Sequence, residues 1–477
     1  MSEPSESATG LRWAMVLVGL LTMVTALLAL DARATYGARI SVDEPQYLLT
    51  AISLAEDLDL DISDELDEQR FLPFHERPTL SQQTTDVNES GQRLSPHDPL
   101  LPVLLAAPME LAGWIGARIA MAVMAGATAA ATIFVGVRRL GLAVWPTAPV
   151  VAALFMSPPL VAFGNQIYPA MPAALTIIAG LAVVTSNDRR RWWAGTLLVV
   201  ALPWLSVKYV PHAGVLAAGL VWSIRRDRVL VRRTVGMLAA MGVAYLALHR
   251  GIWGGWTVYA SGDHFVEAGS EWQVVGSRFN PWGRTRRLVG LLVDRGFGLA
   301  AWAPVFLAAP AAMVHAVRRR ISHWPLLVGL VVVGWAMATW IALTMHGWWW
   351  PGRQVVPIVP ILVLGLAHAV GASRGRLAAV MMASAVSIAG WLWLVVEAST
   401  GRRTLVFDFR DTGYPWYPVW SRLLPDHERF ELGDPVLTIA WTIVLLATMV
   451  AVWCRTSPTD VPVSGAVAEA RPAPAEA

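Results

Sequence analysis

An adjacent carboxylate pair, Asp43 and Glu44, followed by Pro45, Gln46 and Tyr47, stands just beyond the first long apolar run of the chain. Two carboxylates at a membrane boundary could supply a general base and a substrate anchor. The same pair ahead of Pro45 also suits the solvated first turn of a helix. The polar segment that this pair opens closes on Ser95, Pro96, His97, Asp98 and Pro99, before apolar sequence resumes at Leu100. A His beside an Asp there could hydrogen-bond a sugar or a phosphate and respond to local pH, and Asp98 before Pro99 equally suits a turn.

Cations stand at two other boundaries. Lys208 is the only lysine in the chain and lies with Tyr209 between two apolar runs, in Trp204, Leu205, Ser206, Val207, Lys208, Tyr209. A lysine so placed either snorkels to the interface or meets an anion, for which a phosphate is the sharper reading. His346, Gly347, Trp348, Trp349, Trp350, Pro351, Gly352 and Arg353 form a further boundary. Tryptophans there make an interfacial belt or stack on a sugar ring, and Arg353 has fork geometry for a phosphate. The segment after Gly251 adds Trp253, Trp256, Tyr259, Asp263, His264 and Glu267. Its last three have metal-ligand types at i, i+1 and i+4, whereas the acidic run from Glu56 to Glu68 reads as a solvated face sooner than as a metal site. No cofactor is firmly implied; a divalent metal is chemically compatible, but no spacing in the sequence requires one.

These residues need elements to position them, and composition says of what kind. Of 477 residues 55% are hydrophobic and 15% charged, against about 25% charged in soluble globular proteins. The chain reads as an all-α integral membrane protein. Cys454 is the single cysteine, so no internal disulfide forms. The net charge of +3 is scattered in short clusters between apolar runs, which suits topology and not nucleic-acid binding. Taking roughly 20 apolar residues per helix, runs fall at about 11–30, 115–137, 142–163, 168–186, 192–207, 209–224, 234–250, 297–317, 324–345, 354–372, 377–397 and 435–454. That makes about twelve transmembrane helices, with amphipathic helices in the first outer loop, where the stretch from Tyr47 to Leu60 is expected along the membrane surface. Pro203 and Pro211 flank Lys208 and suggest a broken or re-entrant segment there.

Arginines in short loops favour the cytoplasmic face. Simple alternation puts Arg138 with Arg139, Arg189 to Arg191, Arg225 to Arg233, Arg318 to Arg320, and Arg374 with Arg376 on that side. Residues 1–10 then form a cytoplasmic N-terminus and 11–454 the polytopic domain, with outer loops at about 31–114, 251–296, 346–353 and 398–434. Residues 455–477, rich in Pro, Ala, Val and Glu, read as a disordered cytoplasmic tail.

The stretch VDEPQYLLTAISL directly after the first span resembles the opening of the first outer loop in polytopic GT-C glycosyltransferases, the class that includes protein O-mannosyltransferases and the lipid A aminoarabinose transferase. SPHDPLLPVLLAAP, LPWLSVKY, DRGFGLAAWAPV and GWWWPGRQVVPIVPIL are similar to uncharacterised bacterial members, so the resemblance covers about residues 15 to 370. It implies a GT-C-like fold in a bacterial inner membrane, a polyprenyl-phosphate sugar donor, and transfer on the outer face to an acceptor that is a glycan, lipid or protein. It also implies a catalytic carboxylate in the first loop, which lands on Asp43 with Glu44 beside it. Tyr47, His97, Asp98, Lys208, Tyr209, Asp263, His264, His346, Trp349 and Arg353 are the expected substrate-binding residues. The large soluble C-terminal domain of some branches is missing.

Two other classes compete. A secondary transporter also commonly has about twelve helices, but it places ionisable residues near the midplane and often has related halves. Here most ionisable residues fall in outer loops and the halves do not match. A protein that only binds or flips a lipid carrier would keep the cations without needing Asp43.

Overall fold

Long runs of Leu, Val and Ala in a lipid environment can satisfy their backbone only within the segment, which selects helices. The computed structural model describes residues 8–80, 91–186, 188–258, 280–342, 344–429, 431 and 433–458, and among them it is helical without strands. The helices of ten or more residues are α1 (Ala8–Leu27), α2 (Glu44–Glu56), α3 (Leu100–Arg138), α4 (Val144–Phe155), α5 (Ala170–Val184), α6 (Trp192–Leu205), α7 (Val210–Ile224), α8 (Arg228–Trp253), α9 (Ala309–Arg318), α10 (Trp324–Ala336), α11 (Val359–Val370), α12 (Arg374–Ser399) and α13 (Asp434–Arg455).

Each expected apolar run carries one of them. Among the described residues seven helices, α7 and α10 taken with their adjoining turns, are long and apolar enough to cross a membrane; α4, α5, α6, α9 and α11 belong to shorter apolar helices of 10–17 residues. The protein is membrane-embedded. α1 and α3 touch backbone to backbone, since a Cβ on Gly126 would lie 2.6 Å from the Gly19 carbonyl oxygen. Small residues allow that approach where no hydrophobic force drives helices together. α3 is broken at Ala112 and Gly113 (φ 59°), which separates the part after Asp98 from the long run below it.

Arginines of the five short-loop clusters gather at one end of the bundle. Arg139 lies within electrostatic range of Arg191 and His323, and Arg191 and Arg225 line one cavity of about 580 Å³. Arg319 and Arg376 both act on His315, and Arg318 Nε donates to the Thr456 carbonyl at 3.1 Å. The polar segments meet at the other end. There Ser41 Oγ donates to the Trp348 carbonyl at 3.0 Å, Tyr36 donates to Asp408 at 2.5 Å, and the Arg295 amide donates to the Pro425 carbonyl at 2.7 Å.

α2 differs from the sequence expectation. Instead of lying along a membrane surface it is buried on every side from Glu44 to Ser53, packed against α3. Two of its buried hydroxyls are satisfied locally: Thr50 Oγ1 donates to the Gln46 carbonyl at 2.9 Å and Ser53 Oγ to Asp59 Oδ1 at 2.8 Å, whereas the Gln46 side-chain amide is buried without a hydrogen-bond partner among the described residues. The segment around Lys208 is broken, as its prolines suggest. α6 ends at Leu205, Ser206 is extended (φ −172°), and a single 3-10 turn, Val207–Tyr209, precedes α7.

Candidate functional site

The turn into α2 aims Asp43. Val42, a β-branched residue, adopts φ 51° there, a left-handed conformation that costs of order 1–3 kcal/mol and needs surroundings that enforce it. Asp43 Oδ2 accepts a 2.6 Å charge-assisted hydrogen bond from Arg353 Nη2, with 14% of the Asp43 side chain and 10% of Arg353 still exposed. Arg353 is clamped by rings, its guanidinium carbon 3.9 Å from the centre of Tyr168 and 4.6 Å from that of Trp349. A guanidinium held between two aromatic faces offers its donors only in its own plane. One edge meets Asp43, and Nε has no hydrogen-bond partner among the described residues. Burial opposes its charge, yet Asp43, Tyr168 and Tyr47 hold Arg353 above the ordinary arginine value. Gly347 permits the ring placement, since a Cβ there would lie 2.1 Å from the Trp349 ring.

Glu44 points the other way. It is fully buried: Oε2 accepts from the Ser41 amide at 2.7 Å, and Oε1 from the Ile167 amide at 2.7 Å. Burial raises its carboxyl above the usual range against the pull of Arg118, whose guanidinium donates to the backbone carbonyls of Leu30 and Arg39. Glu44 thus ties the polar segment after α1 to the turn ahead of α5, and Asp43 alone of the pair faces the site.

His97 and Tyr47 pack ring to ring at 4.4 Å, and Ser95 Oγ and His97 Nδ1 share a 2.9 Å hydrogen bond. Burial brings His97 down to about 4; Arg353 and Lys208 push the same way and Asp43 and Asp98 oppose. The imidazole is therefore neutral near pH 7. An unfolded histidine titrates near 6.5, so between about pH 6.5 and 4 the unfolded chain binds the more protons and stability falls with falling pH. We expect wild type to lose thermal stability in detergent between about pH 7 and 4.5, and His97→Gln to lose measurably less.

Asp98 supports the site from beneath. It is 2% exposed; Oδ2 accepts from the Val207 amide at 3.0 Å, while Oδ1 accepts from Tyr245 at 2.8 Å and lies 3.0 Å from His249 Nε2. It thereby pins the turn that carries Lys208 and Tyr209. Lys208 Nζ lies 5.2 Å from the Tyr209 ring centre, and its charge reaches His97. The Tyr209 hydroxyl and the Trp349 indole nitrogen are buried without a hydrogen-bond partner among the described residues.

Asp43, Tyr47, His97, Lys208, Tyr209, Trp349 and Arg353 are thus brought together from four distant stretches. His346 turns aside: its Nε2 lies 3.5 Å from Asp294 Oδ2. Asp294 is buried and also accepts from the amides of Gly296, Phe297 and His427 at 3.0, 2.6 and 2.8 Å. Although burial opposes it, His346 and His427 hold its carboxyl well below the usual range, so this knot joins three polar segments. Asp263 and His264 lie outside the described residues. Beside Asp43 opens a cavity of about 730 Å³ whose lining includes Tyr36, Ser41, Val42, Pro45, Trp348 and Phe407.

Sequence reasoning missed Tyr168, Ile167, Arg118, Tyr245 and His249. Asn165, Gln166 and Tyr168-Pro169 between two apolar runs were a readable sign of unwound backbone, and Tyr245 and His249 share a helix face at i, i+4. The main-chain role of Ile167 had no sequence signal. No family model, curated protein or solved structure matches the chain.

Proposed function

We propose that the protein is a GT-C-type membrane glycosyltransferase that moves a sugar from a polyprenyl-phosphate donor to an acceptor hydroxyl at the outer face of a bacterial inner membrane. The carrying observation is a carboxylate, Asp43, paired to a ring-clamped arginine, Arg353, with Lys208 close by at the loop end of the bundle. In this reading twelve helices cross the membrane, the arginine-rich end faces the cytoplasm, and the Asp43 end faces out.

Depth supports it. The 14 residues of α6 rise about 21 Å, short of a hydrocarbon core of about 30 Å. The Ser206–Tyr209 turn is then recessed below the outer boundary, where a lipid-linked phosphate can reach it laterally. The acceptor enters through the cavity beside Val42 and Trp348. Its oxygen attacks the anomeric carbon, its proton passes to Asp43, and the bond from that carbon to the phosphate oxygen breaks with inversion. Lys208 and the donors of Arg353 not engaged by Asp43 stabilise the departing polyprenyl phosphate. The unpartnered Arg353 Nε, Tyr209 hydroxyl and Trp349 indole nitrogen are polar atoms that a sugar phosphate would satisfy. A transporter is expected to place its ionisable residues near the midplane, whereas Asp43 and Arg353 stand in the polar segments at the loop end of the bundle. Purified protein incubated with a panel of polyprenyl-phosphate sugars and a cell-envelope extract that supplies acceptors is expected to consume one of the donors and release the polyprenyl phosphate; consumption of none across the panel would remove the reading.

A further inference from the structure

The acidic run Glu56–Glu68 has an internal division that its sequence does not reveal. Most of its carboxylates have partners. Glu56 and Glu68 meet Arg70 and Asp67 meets Arg93 at 2.9 Å. Asp59 accepts from Ser53 Oγ and the Asp61 amide, and Asp61 accepts from Ser63 and the Arg93 amide. The three that take part in none of these ion pairs or hydrogen bonds, Asp57, Asp64 and Glu65, are the three that converge, with one oxygen of each within 4.8 Å of the others. Two of them are exposed, but Glu65 is 2% exposed and its Oε2 is buried with no hydrogen-bond partner.

From this convergence we infer that Asp57, Asp64 and Glu65 form a binding site for a divalent cation, with calcium as the fitting ion. Calcium takes oxygen ligands at about 2.3–2.6 Å, so oxygens around one ion lie no more than about 5 Å apart, as these do. Like charges at that spacing repel, and a buried carboxylate oxygen without a donor is costly; one cation answers both. Asp57 is the C-cap of α2, where a negative charge opposes the helix dipole, and Asp64 and Glu65 stand in the first turn of the helix Ser63–Asp67. The ion therefore clamps the far end of α2 to the next helix and steadies the element whose other end carries Asp43. It is a structural ion remote from the reaction, and the inference stands whether or not the protein transfers sugar. Three protein ligands with water completing the shell place the affinity in the weak range of extracellular sites, about 0.1–1 mM.

The test is calorimetric titration of EDTA-washed, detergent-solubilised full-length protein with CaCl2, alongside thermal unfolding at fixed ionic strength. One saturable ion with a rise in Tm is expected, weakened at least about tenfold in Glu65→Gln and in Asp64→Asn. Asp57→Asn, an exposed change, gives the same weakening should Glu65→Gln fail to fold. Asp67→Asn, paired to Arg93 outside the trio, leaves binding unchanged. The site is overturned by no saturable binding up to about 10 mM, by an equal rise in Tm with the same concentration of MgCl2, or by equal losses in Asp67→Asn and in the trio.

Discussion

Asp43→Asn is expected to lower sugar transfer at least about a hundredfold while the protein stays folded and still binds donor. The amide keeps the size of the carboxylate, and its oxygen can still accept from Arg353 Nη2, so the ring-clamped guanidinium stays in place. Only the group proposed to take the acceptor proton is gone. The measurement is turnover at saturating donor beside equilibrium donor binding for the same preparation. A loss in binding equal to the loss in turnover would make Asp43 an anchor, and near-normal turnover would eliminate it as the base.

Glu44→Ala acts on the same turn through folding. It leaves the Ser41 and Ile167 amides without their acceptor and the buried Arg118 without its nearby countercharge. Removing one partner of a buried charged arrangement costs about 3 to 5 kcal/mol, which is a large part of the stability of a typical domain. The expected result is a sharply lowered Tm and little folded protein. Glu44→Gln, which keeps one acceptor oxygen, should fall between it and wild type. If Glu44→Ala unfolds like wild type, the tie between the first loop and the turn before α5 carries no stability. The neighbouring carboxylates thus separate by experiment: Asp43 changes turnover and Glu44 changes folding.

The apolar runs were legible because lipid-facing helices need nothing but length and hydropathy; each run carries a helix, but several boundaries lie far from those expected, as in Ala309–Arg318 for the run 297–317 and Leu100–Arg138 for the run 115–137. The convergence of the site residues was legible too. Asp43, Lys208 and Arg353 each stand at the edge of an apolar run, and alternation of the runs was enough to expect them at one level. Burial of α2 was not, because Leu48, Ile52 and Leu54 give the pattern of a one-sided helix, while Gln46, Thr50 and Ser53 are buried without any sequence sign. The pairing of Arg353 with Asp43 also escaped the sequence, which offered each a separate partner. His346 was assigned by its closeness to the tryptophans, yet a few residues of chain suffice to turn it toward Asp294. Glu44 shows the limit most plainly: nothing in two adjacent acidic residues says which one a main-chain amide more than a hundred residues away will claim.

The central claim is that Lys208 and Arg353 hold one lipid phosphate beside Asp43. A double-mutant cycle on the binding of a polyprenyl phosphate to Lys208→Met, Arg353→Met and the pair tests it most directly, with folding of each variant checked by thermal unfolding. The account predicts a loss of about 1 to 3 kcal/mol for each single change, the range for hydrogen bonds to a charged group, and a double loss smaller than the sum because both cations serve one anion. Wild-type affinity in Lys208→Met, the outcome for a lysine that only snorkels, or strictly additive small losses would contradict it.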